Sequence, residues 1–166
     1  MSIRITKLVI MDFDGTLIDT AEPIIGKQTW LEKTGTEWPH KGWWGRRESL
    51  DMDVFGCEVI DMTFEAYKVL RLEPNTHMVM MTGRIPKLKE EVRLMLDHHL
   101  LQFDEYIYCY GATTLEFKLK KLNDYLIEYN DLRSIEIFED RPEHTEAFRK
   151  FGETLIEEIS FTVHQV

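Results

Sequence analysis

The chain has 166 residues, 43% of them hydrophobic, which suits one domain with a full core. Its formal net charge of −10 disfavours broad, nonspecific binding to polyanions, although a small basic spot stays compatible with it. Cys57 and Cys109 are too few for a disulfide framework or a zinc site. No apolar run has signal-peptide character or membrane-spanning length, so the expected compartment is the cytoplasm.

The first predicted element is a strand over 6–12. Its apolar run Leu8-Val9-Ile10-Met11 ends on an acid and so delivers Asp12 to the carboxyl end of the strand. In open α/β sheets that edge is where ligands bind. Asp12 and Asp14 are two apart, and in a continuing strand both would point to one face. Two carboxylates held together repel unless a cation lies between them, and oxygen ligands suit Mg²⁺. Gly15 permits a tight turn, into which Thr16 can hydrogen-bond.

Residues 21–56 show no regular period and contain all four tryptophans: Trp30, Trp38, Trp43 and Trp44. A helix is predicted over 57–72, with Val59, Met62, Phe64, Val69 and Leu70 apolar and its end set before Pro74. A strand over 77–82 runs into Thr82-Gly83-Arg84. A hydroxyl at a strand end beside a glycine can donate to a phosphoryl oxygen while backbone N–H groups approach it closely. The helix over 85–99 has Pro86 in its first turn, where a missing N–H costs nothing. After a strand over 105–109, the helix over 114–129 places Leu115, Leu119, Leu122 and Leu126 on one side. The strand over 134–139 ends on Glu139-Asp140-Arg141, and adjacent acids there repel unless a metal or a base neutralises them. A helix over 142–151 and a strand over 160–165 close the chain. Strands separated by helices imply parallel pairing with right-handed crossovers, hence an α/β fold of the Rossmann-like three-layer αβα sandwich type.

The nine residues DFDGTLIDT from Asp12 to Thr20 resemble the first motif of the haloacid dehalogenase-like (HAD) phosphohydrolases. The three further elements of that superfamily then occur in order, as MTGR, FK and FEDR. GWW after the first motif, MTGR, a Thr-rich approach to FK, and FEDRPEH resemble more narrowly the HAD domain of the "Swiss Army knife" RNA repair proteins. FEDRPEH is also similar to the ending of polynucleotide phosphatase domains. Unlike the repair proteins, these 166 residues hold no ligase or kinase module. The resemblance implies a parallel sheet of order 5-4-1-2-3, a single HAD-like domain over 1–166, and a flap or small cap over 21–56 covering the site. The tryptophans then either pack the flap onto the core or line a substrate entrance. There Trp43 or Trp44 beside Arg46 or Arg47 could stack a base and pair with a phosphate.

The resemblance also implies roles. Asp12 attacks phosphorus and forms an aspartyl-phosphate, while Asp14 protonates the leaving alcohol and then activates water. Thr82, the Gly83 N–H and Lys118 stabilise the transferring group, with Lys120 and Lys121 left as solvated residues. Asp12, Asp14, Glu139 and Asp140 cluster as one Mg²⁺ site, Asp14 through its backbone carbonyl. Glu139 either reaches the metal through water or orients Lys118. Arg84, Arg141 and His144 are substrate or supporting groups, with a place on a helix surface the preferred expectation for His144. The implied activity is Mg²⁺-dependent phosphomonoester hydrolysis, on nucleic-acid end phosphates or nucleotides. The alternatives are a phosphatase of sugars or other small metabolites, and a binding module that retains the fold without catalysis. An acid two residues after the nucleophile favours a phosphatase over a dehalogenase, because alkoxide leaving groups need a proton. No membrane and no obligate protein partner is implied.

Overall fold

In a computed structural model, residues 4–110 and 112–166 are described; of the domain expected over 1–166, residues 1–3 and Gly111 lie outside them. Strand β1 (Lys7–Met11) pairs in parallel with β2 (Thr76–Thr82) on one side and β4 (Ser134–Glu139) on the other. Beyond these, β3 (Glu105–Tyr108) pairs with β2 and β5 (Ser160–Gln165) with β4, so the order is β3-β2-β1-β4-β5. Read from the other edge, this is the expected 5-4-1-2-3.

The period of two in the strands divides the core. Val9, Met11, Met78 and Met80 face a layer containing α3 (Asp61–Leu70) and α4 (Lys89–His98), where they meet Tyr67, Leu70, Val92, Met95 and Leu96. Leu8, Ile10, Val79, Met81, Ile135 and Ile137 face the opposite layer, formed by Leu122 and Tyr125 of α5 (Thr114–Glu128) and Phe148 of α6 (Pro142–Glu153). Both faces of β1 and β2 are therefore covered, which is why Leu8–Met11 and Met78–Met81 read as unbroken apolar runs.

Several expected boundaries and faces differ. The helix predicted from 57 begins at Asp61, because Glu58 O and Leu17 O accept from Asp19 N and Ile60 N and hold residues 58–60 against the first loop. Its inner face is Thr63, Tyr67 and Leu70, while Met62 and Val69 are exposed. In α5 the buried stripe is Lys118, Leu122 and Tyr125, and Leu115, Leu119 and Leu126 are half-buried. Pro86 opens a 3₁₀ turn, Pro86–Leu88, that feeds α4.

The segment 21–56 contains a helix that no periodicity announced, α1 (Pro23–Thr34), followed by a 3₁₀ turn (Arg47–Leu50) and α2 (Met52–Phe55). Ile24, Ile25 and Leu31 of α1 are exposed, and the residue it buries is Gly26, pressed against the Trp43 ring. Trp30, Trp38, Trp43 and Phe55 pack in series at centroid distances of 5.2, 4.5 and 5.6 Å, giving the segment its own aromatic centre. Among the described residues, no helix is long and apolar enough to cross a membrane.

Candidate active site

The first loop is built by its apolar residues. Phe13, Leu17 and Ile18 are fully buried, and Phe13 O accepts from Leu17 N and Ile18 N, both at 3.1 Å. Gly15 N donates to Ile18 O at 2.9 Å, with Gly15 at a φ of 68°. Asp12 still donates its N–H to Phe138 O at 3.1 Å and so continues the sheet. The chain turns immediately after it. The expected shared face of Asp12 and Asp14 is therefore corrected: the Asp14 carboxylate turns to Arg84 and to Thr20, whose hydroxyl donates to Oδ1 at 2.7 Å. The Thr16 hydroxyl is also not bonded into the turn; it is buried and lacks a partner among the described residues.

Helix α5 delivers Lys118. Thr113 caps it, donating to Glu116 Oε2 at 2.7 Å and accepting from Glu116 N at 3.4 Å, a reciprocal cap that fixes the helix start. One turn later Lys118 Nζ lies 2.9 Å from Asp12 Oδ1 and 2.7 Å from Glu139 Oε2. Burial alone would lower the Lys118 pKa, but the two carboxylates outweigh it and raise it, so the side chain stays an ammonium. Burial pushes Asp12 up to about 8, against the pull of Lys118. Burial also acts to raise Glu139, yet His144 and Lys118 together hold it far below the usual carboxylate range.

Glu139 has both oxygens engaged. Oε2 meets Lys118 and His144 Nδ1, the latter at 3.3 Å, and Oε1 accepts from Arg141 N at 3.3 Å. This corrects the expectation for His144, which is 5% exposed: Pro142 opens α6 directly at the strand end, so its first turn folds onto Glu139. Lys120, by contrast, is an exposed residue paired with Asp124.

Asp12, Glu139 and Asp140 each offer a carboxylate oxygen within 4.8 Å of the others. Asp140 Oδ1 is buried and without a hydrogen-bond partner among the described residues. Burial and then the neighbouring Glu139 push its pKa up to about 6. An unpartnered carboxylate oxygen in an acidic cluster fits a hard cation such as Mg²⁺. The Asp14 carboxylate lies outside this cluster, because Arg84 and Thr20 hold it.

Of this cluster, Asp12 opens into a cavity of about 190 Å³. Asp12, Asp14, Lys118 and Arg141 line it together with Gly83, Arg84, Thr114 and Trp44. Thr82 is fully buried and its hydroxyl accepts from Arg84 N at 3.0 Å, which leaves its proton available to a second acceptor. Gly83 passes so close to Thr114 that a Cβ there would lie 2.9 Å from the threonine methyl. The two adjacent tryptophans separate. Trp44 reaches the cavity, whereas Trp43 is buried within the segment 21–56 and donates Nε1–H to Ala21 O at 2.9 Å. Arg46 is exposed and does not line the cavity. Thr20, Ser49 and Thr114 were missed as site residues. Thr20 ends the DFDGTLIDT string and Thr114 belongs to the Thr-rich approach to FK, but nothing in the sequence marked Ser49.

Residues 30–166 match the family described as HAD domain family 1 in Swiss Army Knife RNA repair proteins. The chain belongs to this family. The match begins after the Asp12–Thr20 loop, so that loop enters on its own geometry. Over 181 aligned residues the chain is 23% identical to the uncharacterized protein YMR265C of Saccharomyces cerevisiae, covering 91% of this chain and 38% of that protein's length. In fold it is similar to a chain of a Pnkp1/Rnl/Hen1 complex, with a TM-score of 0.59 and 13% identity over 98% of this chain and 46% of that one. It is similar as well to the HAD domain of the effector protein Lem4 from Legionella pneumophila, with a TM-score of 0.55 and 16% identity over 98% of this chain and 86% of that one. These likenesses carry the fold.

Proposed function

We propose that the protein is a phosphomonoesterase that works through transient phosphorylation of Asp12. The observation that carries this reading is the buried Asp12 carboxylate at the floor of a small cavity, with Lys118 Nζ 2.9 Å away and Asp140 beside it. An Asp12 oxygen attacks phosphorus in line, and the bond from phosphorus to the ester oxygen breaks. Asp14, which also lines the cavity, gives a proton to the departing alkoxide. In the second half Asp14 takes a proton from water as that water attacks the aspartyl-phosphate, releasing orthophosphate and restoring Asp12. Lys118, the Gly83 N–H and Thr82 stabilise the charge on the transferring group, and Glu139 holds Lys118 in place. The carboxylates of Asp12 and Asp140 would hold Mg²⁺, which would supply positive charge to neutralise the acidic site as the phosphoryl group is transferred.

The substrate we propose is a phosphorylated nucleic-acid end or a nucleotide. At about 190 Å³ the cavity is below the roughly 300 Å³ of ordinary small-molecule pockets, so the rest of the substrate lies outside it, against the Trp44 rim. Membership of a family found in RNA repair proteins supports the same class. The test is a phosphatase screen with Mg²⁺ over para-nitrophenyl phosphate, mononucleotides, sugar phosphates and oligonucleotides phosphorylated at the 3′ or 5′ end. Preference for the oligonucleotides or nucleotides is expected. Preference for sugar phosphates would make it a metabolite phosphatase, and no turnover of any ester would overturn the enzymatic reading.

A further inference from the structure

Arg84 is 2% exposed, and its donors are divided between two parts of the molecule. Nε donates to Asp14 Oδ2 at 3.0 Å and Nη2 to Asp14 Oδ1 at 2.8 Å. Nη1 donates to the backbone carbonyl of Trp44 and to Ser49 Oγ, both at 2.7 Å. The guanidinium also lies 4.9 Å from the centre of the Trp44 ring. Ser49 is itself fully buried and donates its hydroxyl proton to Arg46 O at 2.7 Å, so its oxygen is left to accept from Arg84. One buried cation therefore bridges the second strand end, the flap and the carboxylate assigned to proton transfer.

A buried guanidinium is stable only while its acceptors are in place. If Trp44 and Ser49 lift away, Arg84 loses two acceptors and the grip on Asp14 loosens with them. We infer that Arg84 is a positioning residue that makes the orientation of Asp14 conditional on the seating of the flap over the cavity. The inference rests on the reading of Asp14 as the acid–base group of phosphoryl transfer. Its consequence is that protonation of the leaving group is coupled to coverage of the cavity, so that the aspartyl-phosphate of an alkyl ester forms in the covered site and not in the open one. A lysine could not replace Arg84, because one ammonium cannot fork between Asp14 and two flap acceptors.

The test uses Arg84→Lys and Ser49→Ala on two esters that differ in leaving group. Para-nitrophenolate departs with little need of a proton, whereas the alkoxide of 2-phenylethyl phosphate needs one. The measure is kcat/KM, which reports the steps up to departure of the alcohol and excludes the shared hydrolysis of the aspartyl-phosphate. General-acid catalysis contributes about 10²–10⁴-fold, so Arg84→Lys should lower kcat/KM for the alkyl ester at least about tenfold more than for the aryl ester. Ser49→Ala should act in the same direction by less. Amide hydrogen exchange over residues 43–50 should accelerate in both variants, a readout that does not depend on turnover. Equal losses on the two esters, or unchanged exchange over 43–50, would overturn the coupling. If the unmodified protein hydrolysed neither ester, the phosphatase reading would fall, and the exchange measurement would still decide whether Arg84 holds the flap.

Discussion

Gly15 and Asp140 approach so closely that a Cβ on the glycine would stand 2.5 Å from Asp140 Oδ2. The same glycine sits at a φ of 68°, where a side chain is strained. Gly15→Ala should therefore act twice. The strain costs on the order of 1–3 kcal/mol of stability, and the methyl group drives the Asp140 carboxylate from its place beside Asp12. Mg²⁺ affinity measured by calorimetry should fall together with turnover, and the melting temperature should drop only modestly. Unaltered Mg²⁺ binding in a folded Gly15→Ala protein would remove Asp140 from the metal site.

Asp12→Asn should abolish hydrolysis of every phosphate ester. The amide is nearly isosteric and Lys118 keeps its contact with Glu139 at 2.7 Å, so the fold should persist. Circular dichroism and a melting curve check the fold, and a phosphate-release assay checks the activity. Near-normal Mg²⁺-dependent hydrolysis by this variant would defeat the covalent mechanism.

How much of this was legible in the sequence varied with the kind of signal. All five strands lie within a residue of their expected ends; the signal is plainest in β1 and β2, apolar runs stopped by the acid Asp12 and the hydroxyl of Thr82. Lys118 stood out because α5 has a readable start at Thr113. Helix α1 was invisible because it buries a glycine rather than an apolar stripe, leaving no period to detect. The shared face of Asp12 and Asp14 holds only for a strand that continues to Asp14, whereas the backbone turns directly after Asp12, with Phe13 O accepting from Leu17 N and Ile18 N. His144 was assigned to the surface because nothing local shows that the first turn of α6 folds back onto Glu139. Arg84 was legible as a site residue but not in its bridging of Asp14 to the flap, which needs partners 35 and 70 residues away in sequence.

Acid should loosen the β2–β3 edge. Asp104 accepts from Met78 N at 2.8 Å and from Arg71 at 2.9 Å; against a burial effect that raises it, these partners hold its pKa below the ordinary value. A depressed carboxylate stabilises the fold fully above its unfolded pKa, near 4, and loses that contribution as pH falls through the lower folded value. The side chain is about a third exposed, so the contribution is about 1 kcal/mol. Asp104→Asn should lower the melting temperature at pH 7, and its deficit against the unmodified protein should shrink below about pH 4. A deficit that stays constant down to pH 2 would show that the charge contributes nothing.

Trp43 and Trp44 are neighbours in sequence with different surroundings, and replacing each with alanine should give different phenotypes. Trp43 is 4% exposed, packs between Trp38 and Phe55, and ties the segment 21–56 together through its hydrogen bond to Ala21 O. Trp43→Ala should destabilise by about 3–5 kcal/mol and depress activity on all substrates together. Gly26→Ala should reproduce part of this, since its methyl group would meet the Trp43 ring, with a cost of about 1–3 kcal/mol from overpacking. Trp44 instead lines the cavity with its backbone carbonyl fixed on Arg84, a contact that alanine retains. Trp44→Ala should leave the melting curve nearly unchanged and weaken oligonucleotide turnover by the equivalent of about 1–3 kcal/mol, the scale of base–aromatic stacking. Hydrolysis of para-nitrophenyl phosphate should fall much less, because its phosphate takes the cavity floor and it carries no base for the rim. Equal losses on both substrates would remove base stacking at Trp44 and leave the nucleic-acid reading to the family alone.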